Sequence, residues 1–371
     1  MLRSAARKKY LACMLLASFL ISVLVGCSPA GGRANVKKTA AGSTRVITDC
    51  TGRQVRIPVH VKRIACLYAF TGHAVVMLGR GDDVVAINTG LSRDVLLNKV
   101  CAGIGEKPVP FSDSSLNIEE LLKTRPDLVF ISGETGRNRA ETMKLNKFKI
   151  PYLVIDFNSI EEQKRAVQVI GDALGVPEKA RRYNEYYQSC IDRVQKVVSK
   201  IPEEKRVRVY HSVNEATRTD PPGSLGADWM EKAGVVNVSV GHELRLVEGK
   251  NFAGLEQILL WNPDVIIVNE PGVADYIRHN PQWAPLKAVK DGKVYQMPIG
   301  ISRWGHPGGI ETPLAVLWTA KTVYPQYFSD LDVKSEARRF YKEFYNYSVS
   351  GEMLNQILAG KGMRRLKNKQ G

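Results

Sequence analysis

Short apolar segments alternate along the chain with longer segments whose apolar residues recur every three or four positions. Segments such as Val84–Asn88 and Leu128–Ser132 are rich in branched aliphatic residues and bounded by polar ones, which is typical of buried strands. The longer segments carry one apolar face and predict amphipathic helices. At the start of this pattern, a Thr51-Gly52 turn separates the predicted strands Arg45–Thr48 and Arg63–Tyr68. Strands interleaved with helices indicate an α/β protein with parallel sheets.

The pattern of strands is interrupted between Ile160 and Ile201, where only helical spacing is found. Pro177 is suited to the first turn of a helix, because the N–H that proline lacks would be unpaired there in any case. Beyond it, one stripe recurs at three- and four-residue spacing through Ala180, Tyr183, Tyr187, Cys190, Ile191, Val194, Val197 and Val198. We therefore predict a linking helix over residues 177–201, with an apolar stripe of about six turns.

Residues 118–132 resemble residues 255–269, at an offset of 137 positions. Each copy is an amphipathic helix that ends at a Pro-Asp pair and is followed by a buried strand. Because one copy lies on each side of the linking helix, the predicted fold class is α/β, with two Rossmann-like lobes of parallel-rich sheets joined by one long rigid α-helix. A small ligand would lie in the cleft beyond the carboxyl ends of the strands, and the single helix would permit only small closure motions.

The first 27 residues predict an export signal. A basic segment from Arg3 to Lys9 precedes an apolar stretch, Leu11–Val25, that is short for a membrane-spanning helix. The stretch leads into Leu-Val-Gly-Cys27, which has the form of a bacterial lipobox, so residues 1–27 are expected to be a lipoprotein signal peptide lipidated at Cys27. An uncleaved anchor helix is the alternative, and both place the folded part outside the cytoplasmic membrane. Residues 28–44, which are small and polar, predict a flexible tether.

The rest of the chain divides into an N-terminal lobe (residues 45–176), the linking helix, a C-terminal lobe (residues 202–350) and a basic tail (residues 351–371). The 44 % hydrophobic and 24 % charged residues exclude bulk disorder and a polytopic membrane protein. The net charge of +16 would suit nucleic acid or anionic lipid, but four of these charges lie in the signal segment and others in the tail. Since export separates the protein from nucleic acid, no nucleic-acid partner is expected.

The sequence carries no motif of a common enzyme class. The nucleophile-elbow, P-loop, zinc-protease and dinucleotide-binding patterns are absent. We therefore expect a binding protein without enzymatic activity, and keep an exported enzyme and an adhesion or sensor lipoprotein as alternatives. A bare metal-ion binder is a further alternative, because several histidines follow predicted strands: His73, His211, His242 and His306. No Cys-x-x-Cys pair occurs, and the pairing of Cys50, Cys66, Cys101 and Cys190 stays open.

Three features together resemble a known family. They are Asp49-x-x-Gly52-Arg-x-Val55-x-Ile-Pro58 followed by Lys62-Arg63-Ile64, the two helix–Pro-Asp–strand units, and Ser159-Ile160-Glu161-Glu162 at the start of the helical stretch. In this order, behind a lipobox, they resemble the extracytoplasmic solute-binding lipoproteins of ABC importers that have a rigid helical backbone and bind ferric siderophores, haem or cobalamin. The resemblance covers about residues 45–347.

The resemblance implies a monomer without a cofactor of its own, held by a lipid anchor on the outer face of the cytoplasmic membrane or in the periplasm. It would capture an iron chelate, a ferric siderophore in the first place and haem or a corrinoid as alternatives, and deliver it to an ABC permease and its ATPase. Family members dock through one acid on each lobe. The matching positions are Glu141, with Glu134 as a competitor, and Glu311; acids in a first helical turn are also favoured by the helix dipole alone.

Ligand contacts are expected from loops that follow strands. Aromatic side chains would cover a flat chelate, and arginines would neutralise its oxygen atoms. Trp304 lies in a glycine-flanked loop with a cation and an imidazole, and packing into the lobe is its alternative role. Direct ligation of metal by protein side chains is not expected, although Tyr68 or one histidine would suffice as an axial haem ligand. The candidates are Tyr68, Phe70, Thr89, Arg93, Glu134, Arg137, His211, Asn214, Arg218, His242, Arg245, Arg303, Trp304 and His306.

Overall fold

The computed structural model describes residues 43–112 and 114–365. The predicted signal peptide, Cys27 and nearly all of the predicted tether lie outside these residues. Within the described part of the chain, no helix has both the length and the apolarity needed to cross a membrane.

The N-terminal lobe is built on a parallel sheet in the order β4-β3-β7-β8. In chain order, a separate antiparallel hairpin, β1-β2, precedes this sheet, and a second small hairpin, β5-β6, comes between β4 and β7. The strands are β1 (Thr44–Thr48), β2 (Gln54–Pro58), β3 (Ile64–Cys66), β4 (Val84–Ile87), β5 (Phe111–Ser112), β6 (Ser115–Leu116), β7 (Leu128–Ser132) and β8 (Tyr152–Ile155). The helices are α1 (Ala69–Met77), α2 (Thr89–Ser92), α3 (Val95–Val100), α4 (Ile118–Lys123), α5 (Gly133–Arg137) and α6 (Arg139–Lys147).

Two helices follow β8, α7 (Ile160–Leu174) and α8 (Pro177–Val198). The second, α8, is the linking helix. Gly175 separates them in a left-handed conformation with φ 71°, which glycine adopts without steric cost, and Pro177 begins α8 as predicted. The apolar stripe of α8 is buried, and α8 packs against α7 and a helix of the C-terminal lobe. The prediction of one long helix between the lobes is confirmed, although it ends three residues earlier than expected.

The C-terminal lobe repeats the architecture with a parallel sheet in the order β10-β9-β13-β14. Its strands are β9 (Arg208–Ser212), β10 (Val236–Asn237), β11 (Arg245–Val247), β12 (Lys250–Phe252), β13 (Val265–Val268) and β14 (Val294–Gln296). Its helices are α9 (Leu225–Lys232), α10 (Leu255–Trp261), α11 (Val273–His279), α12 (Lys287–Lys290), α13 (Thr312–Val323), α14 (Val333–Tyr345) and α15 (Gly351–Leu358).

The internal repeat corresponds to one structural position in the two lobes. α4 with β7 is the first copy and α10 with β13 the second, and each strand has a parallel neighbour on both sides. Alternate residues of β7 and of β13 enter different hydrophobic clusters, so both faces of both sheets are buried. The predicted α/β fold with two related lobes is therefore confirmed.

The C-terminal end differs from the predicted solvated tail. Ser350 caps α15, whose Leu354 and Ile357 are buried, and Met363 is buried beyond it. We call residues 359–365 the C-terminal strap, because they leave the C-terminal lobe and pair with the N-terminal lobe. The basic residues of the C-terminal end suggest a solvated segment, but Leu354, Ile357 and Met363 are buried. Their burial holds this end of the chain against the core.

The described cysteines are unpaired. Cys50, Cys66, Cys101 and Cys190 are free thiols, which answers the question that the sequence left open. Burial raises the pKa of Cys66 and of Cys190 to about 12, so both thiols stay protonated at neutral pH and act as small core residues.

Candidate functional site

A cavity of about 300 Å³ lies at the carboxyl ends of the strands of the N-terminal sheet. Its lining includes Tyr68 and Glu134, which the sequence singled out, together with Asn88, Ser132 and Asp156. This is the edge of a parallel sheet where α/β proteins place small ligands. A cavity of about 680 Å³ elsewhere is lined by none of the predicted ligand residues.

Tyr68 is one of two aromatic residues that line this cavity, the other being Phe111. Its ring lies 6.3 Å from that of Phe157 and 6.0 Å from that of Phe70. Burial, and secondarily the charge of Asp156, raise the pKa of the Tyr68 hydroxyl, which therefore stays protonated at neutral pH and offers a hydrogen bond rather than a phenolate ligand. Phe70 was expected beside it as a ligand contact, but it is fully buried, because it packs behind Tyr68 and Phe157 in the core.

Two further predicted contacts lie on the rim of the N-terminal lobe. Arg137 ends α5, and its side chain is 70 % exposed while it pairs with Asp156 at 2.7 Å. Thr89 begins α2 and is exposed. Arg137 also lines the cavity, Thr89 follows Asn88 of its lining, and neither side chain is buried.

The loop 299–311 of the C-terminal lobe is organised around Glu311. This residue is 0 % exposed. Its carboxylate accepts hydrogen bonds from the backbone N–H of Ile301 at 2.9 Å, the hydroxyl of Ser302 at 2.7 Å and the hydroxyl of Tyr341 at 2.6 Å. The expected permease contact at Glu311 is therefore corrected: the carboxylate holds the loop 299–311 in shape and has no surface to offer a partner.

The other acid of the expected docking pair is also engaged. Glu141, at the start of α6, is 7 % exposed. It accepts a hydrogen bond of 2.8 Å from the backbone N–H of Leu116 and pairs with Lys144 at 2.9 Å. The carboxylate thereby fixes β6 to α6.

Trp304 lies in the same loop as the predicted cations but points away from them. It is 0 % exposed and belongs to the main hydrophobic core. Its predicted role as a ligand contact is therefore corrected: a large aromatic side chain next to a core that can cover it gains more by burial than by lining a polar cleft.

Arg303, next to it, is the buried cation of this loop. Its guanidinium pairs with Glu270 and donates a hydrogen bond to the side-chain oxygen of Asn214. Burial lowers the pKa of Arg303 to about 10, with the charge of Glu270 opposing the shift, so the side chain stays positive at neutral pH. Glu270 follows β13 and also lies 3.7 Å from Arg93 of the N-terminal lobe, so it links cations of both lobes.

His306 is a neutral imidazole in this environment. Burial, together with the positive charges of Arg303, Arg364 and Arg218, lowers its pKa well below the ordinary value. The backbone N–H of Gly308 donates to Nδ1 at 3.0 Å, so the proton of the neutral ring lies on Nε2. His306 thus offers an N–H donor, which suits an oxygen ligand better than direct metal ligation.

Arg218 differs from the other cations because its guanidinium has no partner. Among the described residues it forms no ion pair and no side-chain hydrogen bond, although it is half-buried and burial lowers its pKa. The carboxylates of Glu215 and Asp220, and to a smaller extent that of Glu134 in the N-terminal lobe, favour its charged form without bonding to it. A half-buried guanidinium without a partner is costly unless a ligand supplies one.

We call Arg93, Arg218, Arg303 and Arg364 the arginine cluster. It draws residues from both lobes around His306. The sequence predicted the first three; it missed Arg364, which lies in the C-terminal strap, and the acids Asp94 and Glu270 that hold the cluster in place. A cluster of this kind attracts an anion through charge-assisted hydrogen bonds.

The remaining histidines have structural partners or lie elsewhere. His211 is buried, bonds to Asp220 through Nδ1 at 2.6 Å and stacks edge-on against Trp229. His73 is buried and bonds to Asp94 at 2.8 Å. Two further candidates, His242 and Arg245, are exposed. In residues 43–112 and 114–365, no three His, Cys, Asp or Glu side chains are grouped so as to hold a metal ion.

Three curated proteins resemble the chain over most of its length. The molybdate-binding protein MolA of Haemophilus influenzae is 28 % identical over 338 residues, which cover 83 % of this chain and 93 % of MolA. The ABC transporter substrate-binding lipoprotein YvrC of Bacillus subtilis is 25 % identical, covering 86 % of this chain and 98 % of YvrC. The Fe(3+)-citrate-binding protein YfmC of Bacillus subtilis is 24 % identical, covering 76 % of this chain and 86 % of YfmC.

A solved structure shows the same fold. MolA bound to molybdate superposes with a TM-score of 0.74 at 25 % identity, over 82 % of this chain and 99 % of MolA. The proteins found by similarity are solute-binding proteins of the type with a helical backbone, rather than enzymes. The model of the family described as periplasmic binding protein matches residues 64–299. With its two lobes, its linking helix and its cleft, the chain belongs to the periplasmic binding protein family, whose members are the extracytoplasmic substrate-binding components of ABC transporters.

Proposed function

We propose that this protein binds a small anionic ligand that presents oxygen atoms, either an oxyanion or a carboxylate chelate of a metal, and delivers it to an ABC permease. The observation that carries the proposal is the unpaired, half-buried guanidinium of Arg218 within the arginine cluster. Together with the N–H of His306, it leaves donors and positive charge directed at one ligand rather than at protein acceptors. The names of MolA and YfmC, molybdate and ferric citrate, fit this chemistry.

Haem and cobalamin receive less support from the cleft. Both are large and flat, and would need aromatic or aliphatic surfaces on which to lie. Phe70 and Trp304 are enclosed in the core, which leaves Tyr68 and Phe111 as the aromatic residues of the cavity. A metal held by the ligand's own oxygen atoms also agrees with the protonated Nε2 of His306. Within the iron chelates, a carboxylate complex therefore replaces the catecholate or haem ligand as the favoured candidate.

Delivery would take place at the outer face of the cytoplasmic membrane, to which lipidation at Cys27 would tether the protein. The lipoprotein YvrC supports this placement. The permease contact at Glu141 stays a prediction, and it would require the carboxylate to leave Lys144 for a cation of the permease.

The experiment is isothermal titration of the full-length protein in detergent with sodium molybdate, ferric citrate, haemin and cyanocobalamin at one ionic strength. We expect binding of molybdate or ferric citrate, and a loss of at least tenfold in Arg218→Gln, which is about 1.4 kcal/mol. The matched control is Arg338→Gln, because Arg338 is exposed on α14 and loses the same charge. Tight binding of haemin or cobalamin alone, or equal affinities of the two variants, would contradict the proposal.

A further inference from the structure

The C-terminal strap connects the two lobes. On the C-terminal lobe, the backbone N–H of Ile299 donates to the carbonyl of Ile357 at 2.9 Å, just before the strap begins. Gly360 then passes so close to β14 that a Cβ there would lie 2.6 Å from the carbonyl oxygen of Met297, and its φ is 64°. This close approach requires glycine and fixes the direction in which the strap leaves the lobe.

On the N-terminal lobe, the strap pairs with the segment between α2 and α3. The backbone N–H of Val95 donates to the carbonyl of Met363 at 3.0 Å, and the N–H of Arg365 donates to the carbonyl of Arg93 at 2.9 Å. Arg93 returns a bond from Nε to the carbonyl of Arg365 at 2.8 Å. The two ends of the strap therefore bind different lobes, and opening of the cleft would break this antiparallel contact.

The strap places Arg364 at the arginine cluster. The side chain is 10 % exposed and pairs through Nη1 with Asp94, while its buried Nε has no hydrogen-bond partner among the described residues. Its charge lowers the pKa of three other groups of the site, His306, Arg303 and Arg93. Arg364 is therefore electrostatically close to the proposed ligand position, and it carries one unused donor.

The carboxylate of Asp94 has a second side-chain partner besides Arg364. It already bonds His73 at 2.8 Å, and its pairing with Arg364 brings a further positive charge towards Arg93 and Arg303. Arg93, Arg303 and Arg364 thus share two carboxylates, Asp94 and Glu270, and the one positive charge in excess favours a bound anion.

We infer that the C-terminal strap is part of the binding site: Arg364 contacts the anionic ligand, and the pairing of the strap with Arg93–Val95 latches the two lobes over it. This rests on the proposed function, since it requires an anion in the cleft. The ligand would contact three arginines: Arg93 of the N-terminal lobe, Arg364 of the strap that pairs with it, and Arg303 of the C-terminal lobe. Binding would then stabilise the closed arrangement without a large movement of α8.

The test measures the affinity of the full-length protein in detergent for molybdate and for ferric citrate at fixed ionic strength. Arg364→Gln should weaken binding of the anion that the wild type binds at least tenfold. Arg338→Gln is the matched control, because it removes the same charge from an exposed side chain on α14, outside the strap, and it should stay within about twofold of the wild type. Arg364→Lys, which keeps the charge but loses the forked donor, should lie between them.

Asp94→Asn separates ligand contact from a structural ion pair. If Arg364 acts only by pairing with Asp94, removal of either charge should weaken binding alike. If Arg364 contacts the anion, Asp94→Asn should bind with equal or higher affinity, because it removes a negative charge beside the ligand. Thermal melts identify any variant that fails to fold. If Arg364→Gln does not fold, the affinity of Arg364→Lys is compared with that of the wild type instead.

Hydrogen exchange tests the latch itself. The amides of Val95 and Arg365 should exchange at least tenfold more slowly with saturating ligand in the wild type, and this protection should be lost in Arg364→Gln. Equal affinities of Arg364→Gln and Arg338→Gln, with Arg218→Gln still impaired, would overturn the inference and leave the proposed function intact. Absence of binding of every anion by the wild type would overturn both.

Discussion

The hydroxyl of Tyr341 donates a hydrogen bond of 2.6 Å to the buried carboxylate of Glu311. The bond joins α14 to the loop that carries Arg303 and His306, and it is one of several that converge on the same carboxylate. A buried carboxylate is stabilised by such donors, which offset the free energy lost when it leaves water. The shape of the ligand-facing loop therefore depends on a helix some thirty residues away in the chain.

Replacement of Glu311 by alanine should destabilise the protein by about 2–4 kcal/mol, because the donors of Ile301, Ser302 and Tyr341 would remain buried without an acceptor. Tyr341→Phe removes one of these bonds and should reduce the free energy of unfolding by about 1 kcal/mol. Both are measured by urea unfolding. The control is Glu352→Gln on α15, an exposed acid that should change stability by less than about 0.5 kcal/mol. Equal stability of Glu311→Ala and this control would show that Glu311 does not organise the loop.

His306 should make the protein less stable in mild acid. Its pKa is lowered on folding, so between the ordinary value near 6.5 and the lower folded value the unfolded chain binds the extra proton. The contribution to stability is complete above pH 6.5 and is lost as the pH falls through that window, with a slope of at most about 1.4 kcal/mol per pH unit. In His306→Asn this part of the pH dependence should be absent.

The measurement is the free energy of unfolding of the wild type and of His306→Asn from pH 8 to about pH 5. The other titrating groups are common to both proteins, so the difference between the two curves isolates His306. The stability of the wild type minus that of His306→Asn should fall as the solution becomes more acidic. If this difference stays constant or rises instead, the imidazole is not held neutral by burial and its arginine neighbours.

Gly308 should be intolerant of large side chains for reasons of binding rather than folding. A Cβ at this position would lie 3.5 Å from Nδ1 of His306 and 3.6 Å from the hydroxyl of Tyr68, which are ordinary contact distances. Gly308→Ala should therefore keep its stability within about 1 kcal/mol and bind ligand nearly normally. Gly308→Leu would extend into the space between the two residues and should weaken ligand binding at least about tenfold, or 1.4 kcal/mol. Unchanged affinity in Gly308→Leu would place the ligand elsewhere in the cleft.

The sequence predicts the fold correctly wherever burial produces a regular pattern of apolar residues. β7 and β13 have both faces covered, so each appears as an uninterrupted apolar run, and their shared Pro-Asp boundary made the repeat visible. β2 was missed although it alternates exposed residues with buried or partly buried ones, the pattern of a half-buried strand; its partner in the hairpin is β1. The prediction had instead placed the strand after this turn at Arg63–Tyr68.

The site was accessible only where position along the strands determines it. Arg218, Arg303 and His306 follow strands, so the topology alone places them towards the cleft. The burial of Glu311 depends on Tyr341, and the contribution of Arg364 depends on the pairing of the strap with Arg93. Such contacts join segments distant in sequence, and local composition therefore could not distinguish Glu311 from a surface acid or Arg364 from a solvated tail.

The linking helix should also support the ligand-facing loop through Tyr183. Its hydroxyl donates a hydrogen bond of 2.6 Å from the buried face of α8 to the carbonyl of Ile310, directly before Glu311. Tyr183→Phe would leave that buried carbonyl without a donor and should lower the free energy of unfolding by about 1–2 kcal/mol. Tyr327→Phe is the matched control, because the side chain of Tyr327 is exposed and the change should be within about 0.5 kcal/mol. Urea unfolding compares the two variants, and a Tyr183→Phe protein as stable as its control would mean that α8 joins the lobes without bracing the loop that holds Arg303 and His306.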